Sequence, residues 1–456
     1  MKRYIFFGLT ILATAVRAQE LSSESSYAVQ ISDTLTLREC IRIALENQPA
    51  IGTSQGAVIT AESDYTQVQS LLFPQIQLEA GAYVTNTPLQ SSNVIASSPI
   101  YDPKQGTKFI PNIRMTIKQP IYDFGRTAKS LESKDQLIKA AELSLASTEE
   151  DVVLNVHITY YNYIQAQQVV KINEERVAQS RKHVERAKGF FEVGKLPESE
   201  VSKAELEVAS AELELINAKG QLRLAKVNLN SAMGITEVSD EPSNYVTPLE
   251  VEYAPFTNNL KECIDAALQS RKEVTAGEMR IKASKAALSA ARSQYGPIIT
   301  ASGGLGPYII QKDPADKLSK DKFKLGYNVG LNFAFPIFQG LSVRADIAEA
   351  QGGIRIATSQ YNVLKQKIIQ EVQERYFSVK YAEERYKASE KIVVQGEKNL
   401  LLAEGRFDTG IGSAIEVTDA NLSLANARID RTTALYQYQV ELSKFKRTIG
   451  KIKETH

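Results

Sequence analysis

The chain has 456 residues, with 54 Lys and Arg against 53 Asp and Glu, so it is close to neutral and carries no basic excess suited to nucleic acid. Its three His (His157, His183, His456) are scattered without ligand spacing, and it has only two Cys. A histidine-based metal or catalytic centre does not fit that pattern. Nor do nucleophile-elbow or phosphate-loop motifs occur, so no enzyme activity, cofactor or metal is expected.

Residues 1–18 read as an export signal. Lys2 and Arg3 form a basic start, residues 4–16 are mostly apolar, and Val16-Arg17-Ala18 is a small-residue cleavage pattern. The apolar stretch is shorter than the roughly 20 residues that span a bilayer. Loss of Lys2, Arg3 and Arg17 leaves 51 basic residues against 53 acidic ones. No Cys stands at the cleavage site, so an N-terminal lipid anchor is not indicated.

Residues 19–234 form a first repeat. A helix is predicted over 35–72, then an alternating strand in which Ile76, Leu78, Ala80, Ala82 and Val84 share a face. A polar, Ser- and Pro-rich connection over 87–108 follows. Residues 111–118 alternate again, with Ile113, Met115 and Ile117 opposing Asn112, Arg114, Thr116 and Lys118. The β-hairpin is placed at 75–119. A long helical hairpin is placed at 126–233. Its first helix carries Val152, Val156, Tyr160, Tyr163 and Val170 at coiled-coil spacing. About 60 helical residues reach about 90 Å, close to the depth of a bacterial periplasm.

Residues 235–257 read as a strap. Residues 258–450 then repeat the scheme, and 451–456 form a tail. Leu37-Arg38-Glu39-Cys40-Ile41 returns as Leu260-Lys261-Glu262-Cys263-Ile264, and Pro74 returns as Pro297. A helix is predicted over 260–295, a β-hairpin over 297–336 and a helical hairpin over 341–449. Residues 323–335 give the sharpest strand signal, with Leu325, Tyr327, Val329, Leu331, Phe333 and Phe335 on one face. Ile368, Val372, Tyr376, Val379 and Tyr386 repeat the coiled-coil intervals of the first long helix. Pro74, Pro120, Pro297 and Pro336 are expected at strand–helix junctions, where a fixed φ and a missing donor are tolerated. Cys40 and Cys263 fall at equivalent positions beside Ile; burial as small apolar residues is the blander reading, and a disulfide stays open.

The alternation fits tilted membrane strands, although a soluble antiparallel sheet with one wet face gives the same pattern. Aromatics at the strand ends (Tyr122, Phe124, Phe335, Phe338) suit a lipid–water boundary. Four strands cannot close a barrel, and open edges in lipid are prohibitively costly. Several chains must combine, and three in a symmetric ring would supply twelve strands.

Three features together resemble the outer membrane efflux protein family. They are the duplicated organisation, the phrase Gln119-Pro120-Ile121-Tyr122-Asp123-Phe124-Gly125-Arg126, and the phrase Gly405-Arg406-Phe407-x-x-Gly410-x-Gly412-Ser413-x-x-Glu416-Val417-x-x-Ala420-x-x-x-Leu424. The resemblance covers roughly residues 35–450. It implies a mixed α and membrane-β fold with two structural repeats per chain. Each repeat would give a β-hairpin to a 12-stranded trimeric barrel and long coiled-coil helices to a periplasmic α-barrel tunnel. It implies a homotrimer in outer-membrane lipid, a periplasmic membrane-fusion adaptor and an inner-membrane pump of RND or ABC type.

The implied function is a passive exit duct for tripartite efflux or type I secretion; the alternative is a periplasmic coiled-coil scaffold without a pore. The resemblance places Glu416 and Asp419, one helical turn apart, at the constricted periplasmic entrance. Repeat one offers Glu200 there, but Lys203 instead of a second acid. Family members hold the closed entrance with a tyrosine and an arginine. This chain has Phe407 and Gly412 instead, so closure by Phe191 and Phe407 packing is the expectation. The turns Gly194-Lys195-Leu196-Pro197 and Gly410-Ile411-Gly412-Ser413 are the expected adaptor-docking tips. Cargo is not legible in the sequence.

Overall fold

The computed structural model describes residues 35–85, 108–195, 197–236, 245, 253–309 and 323–452. The predicted export signal and the two connections between paired strands lie outside the described residues, as does most of the strap. In chain order the elements are α1 (Leu37–Asn47), α2 (Pro49–Gln69), β1 (Gln75–Thr85), β2 (Lys108–Tyr122), α3 (Arg126–Glu192) and α4 (Glu198–Ala232). The second repeat gives α5 (Leu260–Ser270), α6 (Lys272–Arg292), β3 (Ile298–Ile309), β4 (Phe323–Ala334), α7 (Ser342–Asp408) and α8 (Ala414–Thr448).

Two expectations are corrected. The helices predicted over 35–72 and 260–295 each break into two. In the first repeat Pro49 opens α2, and the residue before a proline avoids helical geometry, so Gln48 is extended. In the second repeat no proline is present. Arg271 takes the same extended conformation (φ −67°, ψ 127°), with its guanidinium 2.7 Å from Glu371 and 3.0 Å from Glu273. The other correction is Pro120. It lies inside β2, at a bulge where Pro120 pairs with Thr300 and Tyr122 with Ile299, and not at the strand–helix junction. The junction itself is the left-handed pair Phe124-Gly125 (φ 54° and 81°), repeated as Gly340-Leu341 (φ 58° and 70°).

The four strands form one antiparallel sheet in the order β1-β2-β3-β4. The helices follow the same order. α3 lies between α2 and α4 on one side and α6 and α8 on the other, and α6 and α8 pack in turn against α7. α4 and α2 stack end to end. Gln48 Nε2 donates to the last carbonyls of α4, at 3.2 Å from Ser231 and 3.0 Å from Ala232, which satisfies acceptors that a helix end leaves open. α8 and α6 stack likewise through Ser270 Oγ, 2.6 Å from the Ile449 carbonyl oxygen. Each protomer is thus four columns of helix beneath four strands. Each of the two long single helices has 67 residues, about 100 Å.

All ten coiled-coil positions singled out above are buried. They do not face a coiled-coil partner alone. Val156 and Tyr160 pack in a cluster with Cys40, Ile41 and Ala44 of α1, and Val372 and Tyr376 pack with Cys263 and Ala267 of α5. The two thiols are free and sit in separate clusters, so no disulfide joins them. Burial pushes the Cys40 thiol up to about 12, which keeps it protonated and unreactive.

In the sheet, the register aligns Leu78, Met115, Leu305 and Tyr327 in one row across all four strands. The adjacent row on the other face is Gln77, Thr116, Gly304 and Asn328. The apolar face is bare: Leu78 is 69% exposed and Tyr327 82%. Among the described residues no helix is long and apolar enough to cross a membrane.

Candidate functional site at the helical tips

Both helical hairpins turn on a left-handed glycine. Gly194 has φ 73°, with Lys195 N–H donating to the Phe190 carbonyl at 2.8 Å; Gly410 has φ 76°, with Ile411 N–H donating to Arg406 at 3.0 Å. This i+5 bond with a left-handed residue is how many helices close their last carbonyls. The second tip is closely packed. A Cβ on Gly412 would fall 2.9 Å from the Phe407 backbone nitrogen, so no side chain fits there. Ser413 then caps α8, its Oγ accepting from Glu416 N–H at 3.3 Å. Pro197 opens α4 without a side-chain cap, and Leu196 lies outside the described residues.

Glu416 and Asp419 are both exposed in the first turns of α8. Glu416 Oε2 is 3.3 Å from Arg406 Nε, on the last turn of α7. Both partners are about half exposed, so the pair stabilises the tip by about 1 kcal/mol at most. It nonetheless places a cation beside one of the two acids; Arg406 stands in the tip phrase, which gives it no role at the entrance. Glu200 behaves differently from its repeat equivalent Glu416. Its side chain is only 16% exposed, and Oε1 is 2.7 Å from Lys203 Nζ.

Phe407 is buried, but its partners are Phe190 (ring centroids 5.6 Å apart) and His183 (5.4 Å). Phe191 is 44% exposed within the protomer. In the Phe190-Phe191 pair the sequence gives no reason to choose one ring over the other. Sequence reasoning also missed Glu207, a buried carboxylate on α4. It accepts from Ser180 Oγ of α3 at 3.0 Å and from Thr418 Oγ1 of α8 at 2.9 Å. Thr418 stands between Glu416 and Asp419, so Glu207 ties the acid-bearing turn to the other repeat. His183 is buried beside this bridge. Burial lowers its pKa; Glu207 works against that, Arg186 reinforces it, and Glu404 again opposes it. No cluster of His, Cys, Asp and Glu able to hold a metal exists among the described residues.

The model of the outer membrane efflux protein family matches residues 40–235 and 263–451, taking in both repeats. The chain belongs to that family. This efflux protein is 21% identical to the outer membrane protein TolC of Vibrio cholerae over 421 residues, 92% of this chain and 91% of that one. It shares its fold with the outer membrane protein VceC of Vibrio cholerae (TM-score 0.72, 18% identity, 91% of this chain and 96% of that one). The same holds for the MtrE outer membrane channel of Neisseria gonorrhoeae in its open state (TM-score 0.70, 17% identity, 91% and 89%). The efflux protein is therefore an outer-membrane channel with a periplasmic tunnel, not an enzyme, and a scaffold without a pore is not favoured. The row of Leu78, Met115, Leu305 and Tyr327 lies on the apolar face, the kind of face that barrels in a membrane turn to lipid.

Proposed function

We propose that three copies of the efflux protein close one twelve-stranded barrel and one twelve-column tunnel. The assembly serves as the passive exit duct of a tripartite efflux or type I secretion system. One observation carries this reading: strand order and helix order coincide, and both stop at open edges. β1 and β4 leave unpaired ladder groups that lipid cannot satisfy. The matching helix edges are apolar. Leu206, Leu213, Ile216, Leu224 and Val227 are exposed on one face of α4, and Val363, Phe377, Tyr381, Ile392 and Leu402 on one face of α7. The two edges differ from each other, so copies join head to tail and the rotation must close into a ring.

At the tips, Glu416 and Asp419 from three copies supply six carboxylates at the periplasmic entrance, which attracts cations. The turns at Gly194–Pro197 and Gly410–Ser413 dock a periplasmic adaptor, which links the duct to an inner-membrane pump. Energy and cargo choice reside in that pump. Native mass measurement in detergent, followed by reconstitution into planar bilayers, tests the reading. A trimer with ion conductance is expected; a monomer soluble without detergent overturns it.

A further inference from the structure

Where the strands give way to helices, the two repeats of one chain meet in a close contact between Phe124 and Gly296. Phe124, in its left-handed turn, lies so close to Gly296 that a Cβ on Gly296 would come 2.1 Å from the Phe124 ring. A large residue on one side therefore requires glycine on the other. The duplicated sequence carries both positions a second time. Phe124 corresponds to Gly340 and Gly296 to Phe73. The local geometry is the same in each case. Gly340 has φ 58° against 54° for Phe124, and Phe73 and Gly296 each end a short 3-10 turn in extended conformation. Within the chain these second copies have no partner for each other, since they stand at opposite edges of the sheet. Phe73 is 59% exposed, and nothing lies within 4 Å of where a Gly340 Cβ would be.

We propose that Phe73 of one protomer seats on Gly340 of the next, a size-reversed copy of the Phe124–Gly296 contact. The reversal keeps one large and one small residue at every junction, so the seam between chains reproduces the seam within a chain. β4 then pairs with the next protomer's β1 in the register of β2 with β3. Transposing Gln119↔Ala301 and Ile117↔Gly303 pairs Phe335 with Leu78 and Phe333 with Ala80. All four belong to the bare apolar face, so the transposed register keeps that face continuous around the ring. The partner is a second copy of this chain, and the inference rests on the ring reading above.

Two experiments on the full-length protein test it. Gly340→Phe keeps a backbone that Phe124 shows to be tolerated, but sets two rings against each other. The trimer fraction is expected to fall at least tenfold, and Phe73→Gly in the same chain is expected to restore it to within twofold of wild type. A Gly340→Phe protein that assembles normally, or a double variant no better than the single, overturns the contact. For the register, the pair Ala80→Cys and Phe333→Cys is expected to give reducible dimers and trimers. Within one chain β1 and β4 are three strand spacings apart, about 14 Å, too far for a disulfide. The pair Ala80→Cys and Val329→Cys, displaced by about 13 Å along the strand, is expected to give at most a tenth as much. Equal or stronger linking by the displaced pair overturns the register. If the wild-type protein is not a trimer, the ring reading itself fails; a trimeric wild type with these results reversed fails the junction alone.

Discussion

Phe191 and Phe407 hold the same place in the two repeats, 216 residues apart, yet Phe407 is 4% exposed and Phe191 44%. The difference comes from what lies across the tip. Phe407 meets Phe190 and His183 of the first hairpin, and Phe191 has no such ring contact among the described residues. Phe407→Ala should remove about 3–5 kcal/mol of packing at the seam between the hairpins. In planar bilayers it is expected to raise open probability at least threefold, while Phe191→Ala leaves it within twofold. Equal behaviour of the two variants would separate the gate from this packing.

His183 gives the tip a pH dependence of definite sign. Burial lowers its folded pKa below the ordinary value of about 6.5. The unfolded tip therefore takes up the proton first as pH falls, and stability present above about 6.5 is lost below it. Hydrogen exchange across residues 178–190, corrected for intrinsic rate, should be faster at pH 5.5 than at pH 7.5. His183→Phe should remove most of that difference.

Arg447 joins α3, α6 and α8. Its guanidinium lies 2.8 Å from Asp151, 2.9 Å from Glu273 and 3.3 Å from Glu150, with the side chain 5% exposed. Burial opposes ionisation of Glu273, but the Arg271 hydrogen bond and the charges of Arg447 and Arg271 hold its pKa at about 2. Stability from this group is present above about 4.5 and is lost as pH falls towards 2. Arg447→Met takes the guanidinium from the buried Glu150 and the part-buried Glu273 and should cost about 3 kcal/mol. Thermal unfolding at pH 7 measures the loss, and a shallower decline between pH 4.5 and 3 checks the assignment.

Glu416→Gln with Asp419→Asn should weaken cation preference without altering the fold of the protomer, because both side chains are exposed in it. Reversal potential under a salt gradient should move towards zero by more than half. Glu200→Gln should move it little, since that carboxylate is turned towards Lys203. A larger effect from Glu200 would reverse the roles given to the two repeats.

Much of the architecture was legible along the chain. Alternation in residues 323–335 named the apolar face of β4, and the spacing of Val152 to Val170 named the buried face of α3. Pro120 was misread because a proline in a strand and one at its end look alike in sequence; only the pairing with Thr300 shows the bulge. The break at Arg271 was missed for a related reason. No proline forces it, and the glutamates that hold it come from α6 and α7.

By itself the sequence determined the two repeats, the order of strands and long helices, the glycine-ended hairpins and the apolar strand face. These follow from local geometry, in which side-chain direction repeats every 2 or 3.6 residues. The tertiary structure alone decided that Phe407 and not Phe191 is covered, that Glu207 reaches Thr418, and that Phe124 rests on Gly296. Those contacts join residues more than 170 positions apart. Duplicated halves with equivalent local sequence become unequal when each meets a different neighbour, and no periodicity along the chain records which neighbour that is.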